Sequence, residues 1–317
     1  MTITFFQPGQ VWHDTDGTPI QAHGGGVLYD QGTYYWFGEN KDGDTVYDAQ
    51  KGLLHRVDVI GISCYSSQDL LNWKNEGVVL PAVKDDPTHD LHPSKVLERP
   101  KVVYNSRTKQ YVMWAHVDTS DYEYARVGVA VSDCPTGPYR YLGSLQPNGA
   151  DSRDMTVFQG QDGKAYLIFS SEWNRTLRVV LLDEDYLCPT HVEARILENR
   201  SREAPAMFRL NERYYLISSG CTGWDPNQAE YAVANSPLGP WTVMGNPCVG
   251  HGAQVNFNAQ STFVLPVVDL PGAFIFMADQ WKKENLCDSR YAWLPIQIHD
   301  DQVQIEWQER WSLSFFS

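Results

Sequence analysis

Five short apolar runs recur along the chain: "GTYYWFGE" (32–39), "KQYVMWAHV" (109–117), "GKAYLIFSS" (163–171), "ERYYLISSG" (212–220) and "GAFIFMADQ" (272–280). Each follows a turn signal ("YDQG", "NSRTKQ", "QDG", "LNER", "DLPG") and is rich in aromatic and β-branched residues. Such runs, bounded by turn residues, predict strands entered through hairpins. Most are preceded by another apolar segment, such as "GGVLY" or "RPKVVY", and most are followed by a third, such as "RVGVAVSD" or "AEYAVANS". Polar or Trp-containing outer strands ("LLNWKNEG", "GPYRYLG", "GPWTVMG", "VQIEW") close several units.

An aromatic at an equivalent place in each run (Tyr34, Tyr111, Tyr166, Tyr214, Phe274) recurs at steps of 77, 55, 48 and 60 residues. Irregular steps with a constant strand order predict propeller blades carrying insertions of different length. Blades at roughly 20–75, 95–145, 150–198, 200–248 and 255–310 take up nearly the whole chain. The expectation is an all-β fold, a single five-bladed β-propeller spanning 1–317. A sandwich or barrel supplies short strands too, but not five copies of one turn-strand-strand unit. No amphipathic helix pattern of useful length competes.

The 317 residues are 42% hydrophobic and 20% charged, enough to bury a sizeable core. Aromatic content of 13%, with 11 Trp and 17 Tyr, fits stacking platforms for sugars and strand packing equally well. A formal net charge of -14 and the lack of any basic run exclude nucleic acid and anionic membrane as partners. No apolar run reaches the ~18 residues of a membrane span. The N-terminus, "MTITFFQPGQVWHDTDG", lacks a basic region, a long apolar stretch and a cleavage site. That fits a cytoplasmic protein, or a secreted one whose signal has been removed. Six cysteines stand singly at 64, 134, 188, 221, 248 and 287, which predicts free buried thiols rather than a zinc site or a disulfide scaffold.

In a propeller the innermost strands meet around a channel, so polar residues at the entrance of each first strand converge there. Blade one has "QAHGGG" (21–26); blade two has "LERPKVVY", with Glu98 beside Arg99; blade three has "DSRDMTVF", with Asp154 after Arg153. Blade four has "SREAPAMF", with Glu203 after Arg202, and blade five has "NFNAQSTF", with Gln260 near Asn256 and Asn258. For any one blade the simplest expectation is an ion pair between the Arg and its neighbouring acid. Three acids around one axis cannot all ionise at ordinary values, however. One of them is then pushed upward, as a general acid requires.

The succession "RDMTVFQGQDGKAYLIFSS" and "EAPAMFRLNERYYLISSG" resembles glycoside hydrolase family 43, and the likeness runs through all five blades. More narrowly, "AHGGGVLYDQGTYYWFGENK", "LERPKVVYN", "TGWDPN" and "NAQS" resemble its exo-β-1,3-galactanase branch. The resemblance implies that Glu203 protonates the leaving oxygen, that Asp154 orients Glu203 and raises its pKa, and that Glu98 holds substrate hydroxyls. Most of the family has an Asp base near the start of blade one, where this chain reads "AHGGG". The galactanase branch resembles the chain in that absence and gives a fifth-blade Gln the water-positioning role, which matches Gln260. Glu98 is the more conventional base.

The further expected substrate contacts are His23, Glu39, Tyr122, Trp173, Asn174, Thr222, Trp224 and Asn227, each of which also has a purely structural reading. The triple glycine suits close backbone approach rather than phosphate binding, since no helix follows. Many relatives hold a structural calcium in the channel, which His251 is placed to approach. A lone His is a poor calcium ligand, so no obligatory metal or cofactor is expected. The implied activity is exo-acting, inverting hydrolysis of β-1,3-galactan, the arabinogalactan backbone, with release of galactose. The alternatives are another family 43 activity, on arabinofuranosides, xylosides or galactosides, and a non-catalytic sugar-binding propeller. Either way the partner is an oligo- or polysaccharide.

Overall fold

The computed structural model describes residues 2–48 and 53–317. Five antiparallel sheets follow one another along the chain. Blade one comprises His23–Asp30, Thr33–Glu39, Gly61–Ser67 and Lys74–Pro81. Blade two comprises Val96–Asn105, Gln110–Asp118, Arg126–Ser132 and Arg140–Leu145. Blade three runs from Met155–Gln159 through Ala165–Ser171 and Thr176–Leu182 to Pro189–Ile196. Blade four runs from Arg202–Leu210 through Arg213–Gly220 and Glu230–Ala234 to Thr242–Gly245. Blade five has Gln260–Pro266, Phe274–Gln280, Arg290–His299 and Gln302–Glu306, with Cys248–Val249 added in parallel to its outer edge. The first strands touch one another in a closed ring, which makes the five sheets blades of a propeller. The long first step in the repeat arises from a hairpin, Thr45–Asp48 with Leu53–Val57, inserted between the second and third strands of blade one.

The apolar runs are second strands, each buried between two neighbouring blades. Successive side chains of a strand point to opposite faces. In blade two, Tyr111, Met113, Ala115 and Val117 pack with Phe37, Ile62 and Cys64 of blade one. The intervening Val112 and Trp114 pack with Leu167 and Phe169 of blade three. A strand covered on both faces is apolar throughout, which is why the runs do not alternate.

Among the described residues the chain ends share no full strand, so closure falls to one backbone bridge and the side chains around it. The backbones of Phe6 and Trp311 pair with each other, N–H to carbonyl, at 2.8 and 3.1 Å. Around them Trp12, Trp36, Trp73, Tyr291 and Trp293 form one aromatic cluster; Trp36 lies 4.7 Å from both Tyr291 and Trp293, centroid to centroid. Most of the tryptophans thus serve packing. The thiols depart from expectation: Cys64 and Cys248 are buried, but Cys134, Cys188 and Cys221 are exposed and Cys287 is intermediate. The exposed ones stand in loops, outside the inward positions of strands.

Three first strands carry the same bulge at the same place, between His23 and Gly26, Glu98 and Lys101, and Glu203 and Ala206. In each, the residue after the polar one has a left-handed backbone: Gly24 (φ 60°), Arg99 (φ 56°) and Ala204 (φ 51°). A bulge re-aims a side chain, here toward one end of the channel. In blade one the bulge also presses the backbone against the second strand, so that a Cβ on Gly25 would overlap the carbonyl oxygen of Phe37. Gly25→Ala is expected to cost at least roughly 3 kcal/mol in denaturant unfolding, the upper range for overpacking. Gly32→Ala, at φ 85° with nothing within 4 Å of the added carbon, is expected to cost about 1–2 kcal/mol from left-handed strain alone. Equal losses would contradict the steric role of Gly25.

Candidate active site

The bulged ends of the first strands surround a cavity of about 290 Å³. Glu98, Asp154, Glu203 and Gln260 all line it, together with Glu39, Tyr122, Trp173, Asn174 and Trp224. They come from all five blades or the loops between their strands.

The bulge amides, freed from strand pairing, are taken by carboxylates of the preceding blade. Asp279 Oδ2 of blade five accepts from Gly24 N at 2.5 Å, and Glu39 Oε1 of blade one accepts from Arg99 N at 2.9 Å. Asp154 Oδ2 of blade three accepts from Ala204 N at 3.1 Å. Each clamp sets the register of a polar side chain against the next blade. The adjacent Arg–acid pairs expected from sequence do not form. Arg99 instead pairs with Asp154, Nη2 to Oδ2 at 3.0 Å, and donates to Gln260 Oε1 and to Ser261 O. Its guanidinium therefore links blades two, three and five. Arg153 pairs with Asp151, and Arg202 bonds Ser218 and lies near Glu230.

Glu203 is partly buried. Its Oε1 accepts from Gln260 Nε2 at 2.9 Å and its Oε2 from Asn174 Nδ2 at 3.1 Å. Burial and then the charge of Asp154 push its carboxyl up to about 8, against smaller opposing contributions from Arg99, Cys221 and Gln260. The same cavity treats Glu98 in the opposite way. Burial pushes Glu98 up, but close contact with His116 and the charges of Lys41, His116 and Arg99 outweigh it and hold it well below the usual carboxylate range. Two carboxyl groups of one pocket are thus driven apart, one toward a proton donor and one toward a permanent anion.

Gln260 is fully engaged. Its Oε1 accepts from Arg99 Nη2 and from Trp281 Nε1 (3.0 Å), while its Nε2 donates to Glu203 Oε1 and to Ser219 Oγ (3.0 Å). Two donors face its oxygen, which acts as an acceptor, and its amide nitrogen orients Glu203.

The remaining residues divide into those facing the pocket and those behind it. Tyr122 donates to Glu98 Oε1 at 3.2 Å. Trp173 is 66% exposed, with Arg153 at 4.2 Å from its ring, on a turn whose amides at 172 and 173 donate to Asp151. Trp224 stands edge-on to Trp281 at 5.2 Å. Glu39 lines the cavity, but Arg99 N and Lys41 Nζ (2.6 Å) occupy its oxygens. Three expected contacts do not line it. His23 is fully buried, stacked on Tyr291 at 4.8 Å and 3.5 Å from Asp279. Thr222 and Asn227 bond each other and their own loop, which shapes the loop carrying Trp224. His251 lies exposed on a turn and does not line the cavity.

Sequence reasoning missed His116, Arg153 and Trp281 in the lining and Lys41 behind it. The available signal for His116 was the polar pair His116 and Asp118 inside an apolar strand, opposite Glu98 in register. Glu98, His116 and Asp154 place potential ligand atoms within 4.8 Å of one another. A calcium ion does not fit this donor set, which offers one nitrogen and two carboxylates, one already held by Arg99, where calcium takes 6–8 oxygens.

A larger cavity, about 630 Å³, opens at the opposite channel end, lined by apolar side chains such as Val27, Val103, Phe158, Met207 and Leu265. Its lone carboxylate, Glu212, is exposed, so acid–base chemistry belongs to the smaller pocket. Between the two sits Lys101, whose Nζ donates to Gly24 O at 2.8 Å; burial and then Arg99 push its ammonium down to about 7. Among the described residues no helix is long and apolar enough to cross a membrane.

Residues 21–262 match the model of glycosyl hydrolases family 43. A solved family 43 β-1,3-galactosidase in complex with galactodeoxynojirimycin is 41% identical, over 97% of this chain and 100% of its own, with a TM-score of 0.90. Another β-1,3-galactosidase of the family is 40% identical with a TM-score of 0.92; the match covers 99% of this chain but 65% of that one. An exo-β-1,3-galactanase from Phanerochaete chrysosporium, solved with β-1,3-galactotriose, is 35% identical over 98% of this chain and 68% of its own, with a TM-score of 0.88. Among curated proteins, a β-D-galactofuranosidase of Aspergillus niger is 28% identical over 204 residues, 59% of this chain and 58% of its own length. The chain thus spans about two thirds or less of some relatives it matches. The family match covers most of the chain, and the propeller and its acid-lined pocket agree with it: the chain belongs to glycosyl hydrolases family 43.

Proposed function

We propose that the protein is an exo-acting, inverting glycoside hydrolase that releases galactose from the end of β-1,3-galactan, with all five blades acting as one catalytic unit over 1–317. The observation that carries this reading is a carboxyl group, Glu203, held by Gln260 and Asn174 beside Asp154 in a pocket sized for one sugar, where burial and the charge of Asp154 push it up to about 8. A volume of about 290 Å³ is at the small end for ligand sites, which run to ~300–1,000 Å³. That suits a single terminal residue rather than an internal stretch of polymer. The galactose linkage rests on the β-1,3-galactosidases and galactanase named above, which are far more similar to this chain than the galactofuranosidase is.

In this mechanism Glu203 gives its proton to the leaving glycosidic oxygen as the bond breaks, water attacks the opposite face of the sugar and releases its proton to solvent, and Glu203 is reprotonated from solvent before the next turnover. Asp154 raises the proton affinity of Glu203 through its charge and fixes the backbone of the next residue. Gln260 and Asn174 orient the acid. Glu98, held as an anion, accepts sugar hydroxyls.

Wild type is expected to release galactose from β-1,3-galactan, first as the α-anomer by proton NMR. Glu203→Gln is expected to lower kcat by roughly 10²–10⁴-fold, the usual contribution of a general acid. Equal release by both proteins would sink the acid assignment, and no release by either would sink the substrate.

The pH profile gives a second test. An acid must carry its proton, so kcat is expected to fall as pH rises through about 8. Asp154→Asn removes the charge that raises Glu203 and should move that limb to lower pH. An unchanged or alkaline-shifted limb in the variant would contradict the coupling.

A further inference from the structure

The second strand of each blade carries a polar residue near the channel, and in four blades it ties that blade to the next. Asp279 takes Gly24 N, Glu39 takes Arg99 N, Ser170 Oγ donates to Arg202 O, and Ser219 Oγ accepts from Gln260. Blade two departs from this pattern. Its residue at that position is His116, paired in register with Glu98, and it makes no such tie to blade three. His116 is 1% exposed and lines the catalytic cavity. Its Nδ1 lies 3.4 Å from Glu98 Oε2, near enough for an ion pair but not aligned as a hydrogen bond. Its Nε2 lies 2.9 Å from Oδ2 of the fully buried Asp118.

We propose that Asp118 and His116 are a positioning pair that holds Glu98 in one orientation as a charged acceptor for sugar hydroxyls. Asp118 does this from behind the pocket, touching neither substrate nor Glu98. Its second oxygen, Oδ1, accepts from Thr119 N and Ala125 N, both at 2.9 Å. Those amides bracket the loop that brings Tyr122 to Glu98 Oε1 and whose carbonyl at Tyr122 accepts from Arg153 Nη2. One buried carboxylate thus fixes two partners of Glu98, the histidine ring on one oxygen and the phenol on the other. A carboxylate backing a histidine ring fixes the orientation of that ring, as in the outer shells of metal-bound histidines.

The charged and titratable groups facing His116 are Asp118 on its own strand, Glu98 on the paired strand, Tyr122 on the loop and Asp154 of blade three. Behind Glu98 lie Lys41, at 3.7 Å, and Arg99. Burial opposes a charge on His116, but its bond to Asp118, its close contact with Glu98 and the charges of both outweigh burial and push it up to about 9. The imidazolium therefore persists across the range in which Glu203 works as an acid.

This inference rests on the hydrolase reading for its kinetic consequence, but its first test needs no substrate. In ¹⁵N-histidine-labelled wild type, the His116 signals, assigned by their loss in His116→Gln, are expected to titrate near pH 9. Titration at or below the ordinary value of about 6.5 would overturn the proposal. Asp118→Asn keeps an oxygen for the two loop amides but removes the acceptor facing Nε2. It is expected to lower kcat/KM on β-1,3-galactobiose by roughly 10–100-fold, mainly through KM, as outer-shell losses usually do. Its KM should also begin to rise near neutral pH, where His116 would now lose its proton, while the wild-type KM stays flat. A variant with unchanged KM and unchanged pH dependence would overturn the pair's role even if galactan hydrolysis is confirmed. Failure of wild type to cleave galactan would instead count against the substrate and leave the titration to decide.

Discussion

Everything in the pocket depends on how a freed backbone amide is satisfied. A bulge at the start of a first strand turns a side chain toward the channel, but it also leaves a buried N–H without its strand partner. Such a group costs about 1–3 kcal/mol if it stays unpaired. Here the preceding blade supplies a carboxylate each time: Asp279 for Gly24, Glu39 for Arg99 and Asp154 for Ala204. The arrangement of blades and the aim of the functional side chains are therefore one constraint. Asp154 belongs to both, since the oxygen that clamps blade four also faces Arg99 and its charge lifts Glu203.

From that constraint follows the division of labour among the carboxylates. Glu98 and Glu203 occupy equivalent positions, each one residue before a left-handed residue and then a proline. Their neighbours set them apart. Glu98 has Lys41, His116 and Arg99 around it, whereas Glu203 has a neutral amide on each oxygen and Asp154 close by. Identical backbone geometry in two blades thus gives one anion and one acid, and a hydrolase needs both within reach of the same sugar.

Much of this was legible in the sequence because burial on both faces makes a second strand continuously apolar, and such runs stand out. The inward acids were legible because Glu98 and Glu203 each precede an apolar strand that would not otherwise tolerate a charge. What escaped reading was set by contacts between distant segments. His116 gains its meaning from Glu98 across the strand pair and Asp118 behind it, neither of which a linear pattern weighs. Thr222 and Asn227 look like sugar contacts by composition, yet they satisfy each other within their loop. His23 stands where a base was sought, but it stacks on Tyr291 behind the clamp formed by Asp279. The Arg beside each acid suggested local pairs, whereas Arg99 spends its guanidinium on other blades.

The most direct measurement is the protonation of Glu203 itself, read as the carboxyl infrared band that disappears in a difference spectrum between wild type and Glu203→Gln across a pH series. The account requires that this carboxyl stay protonated through neutrality and titrate near 8. A band that is lost near 4.5, the ordinary value for a glutamate, would mean that the interblade clamp and Asp154 do not make an acid of it, and the account would fail.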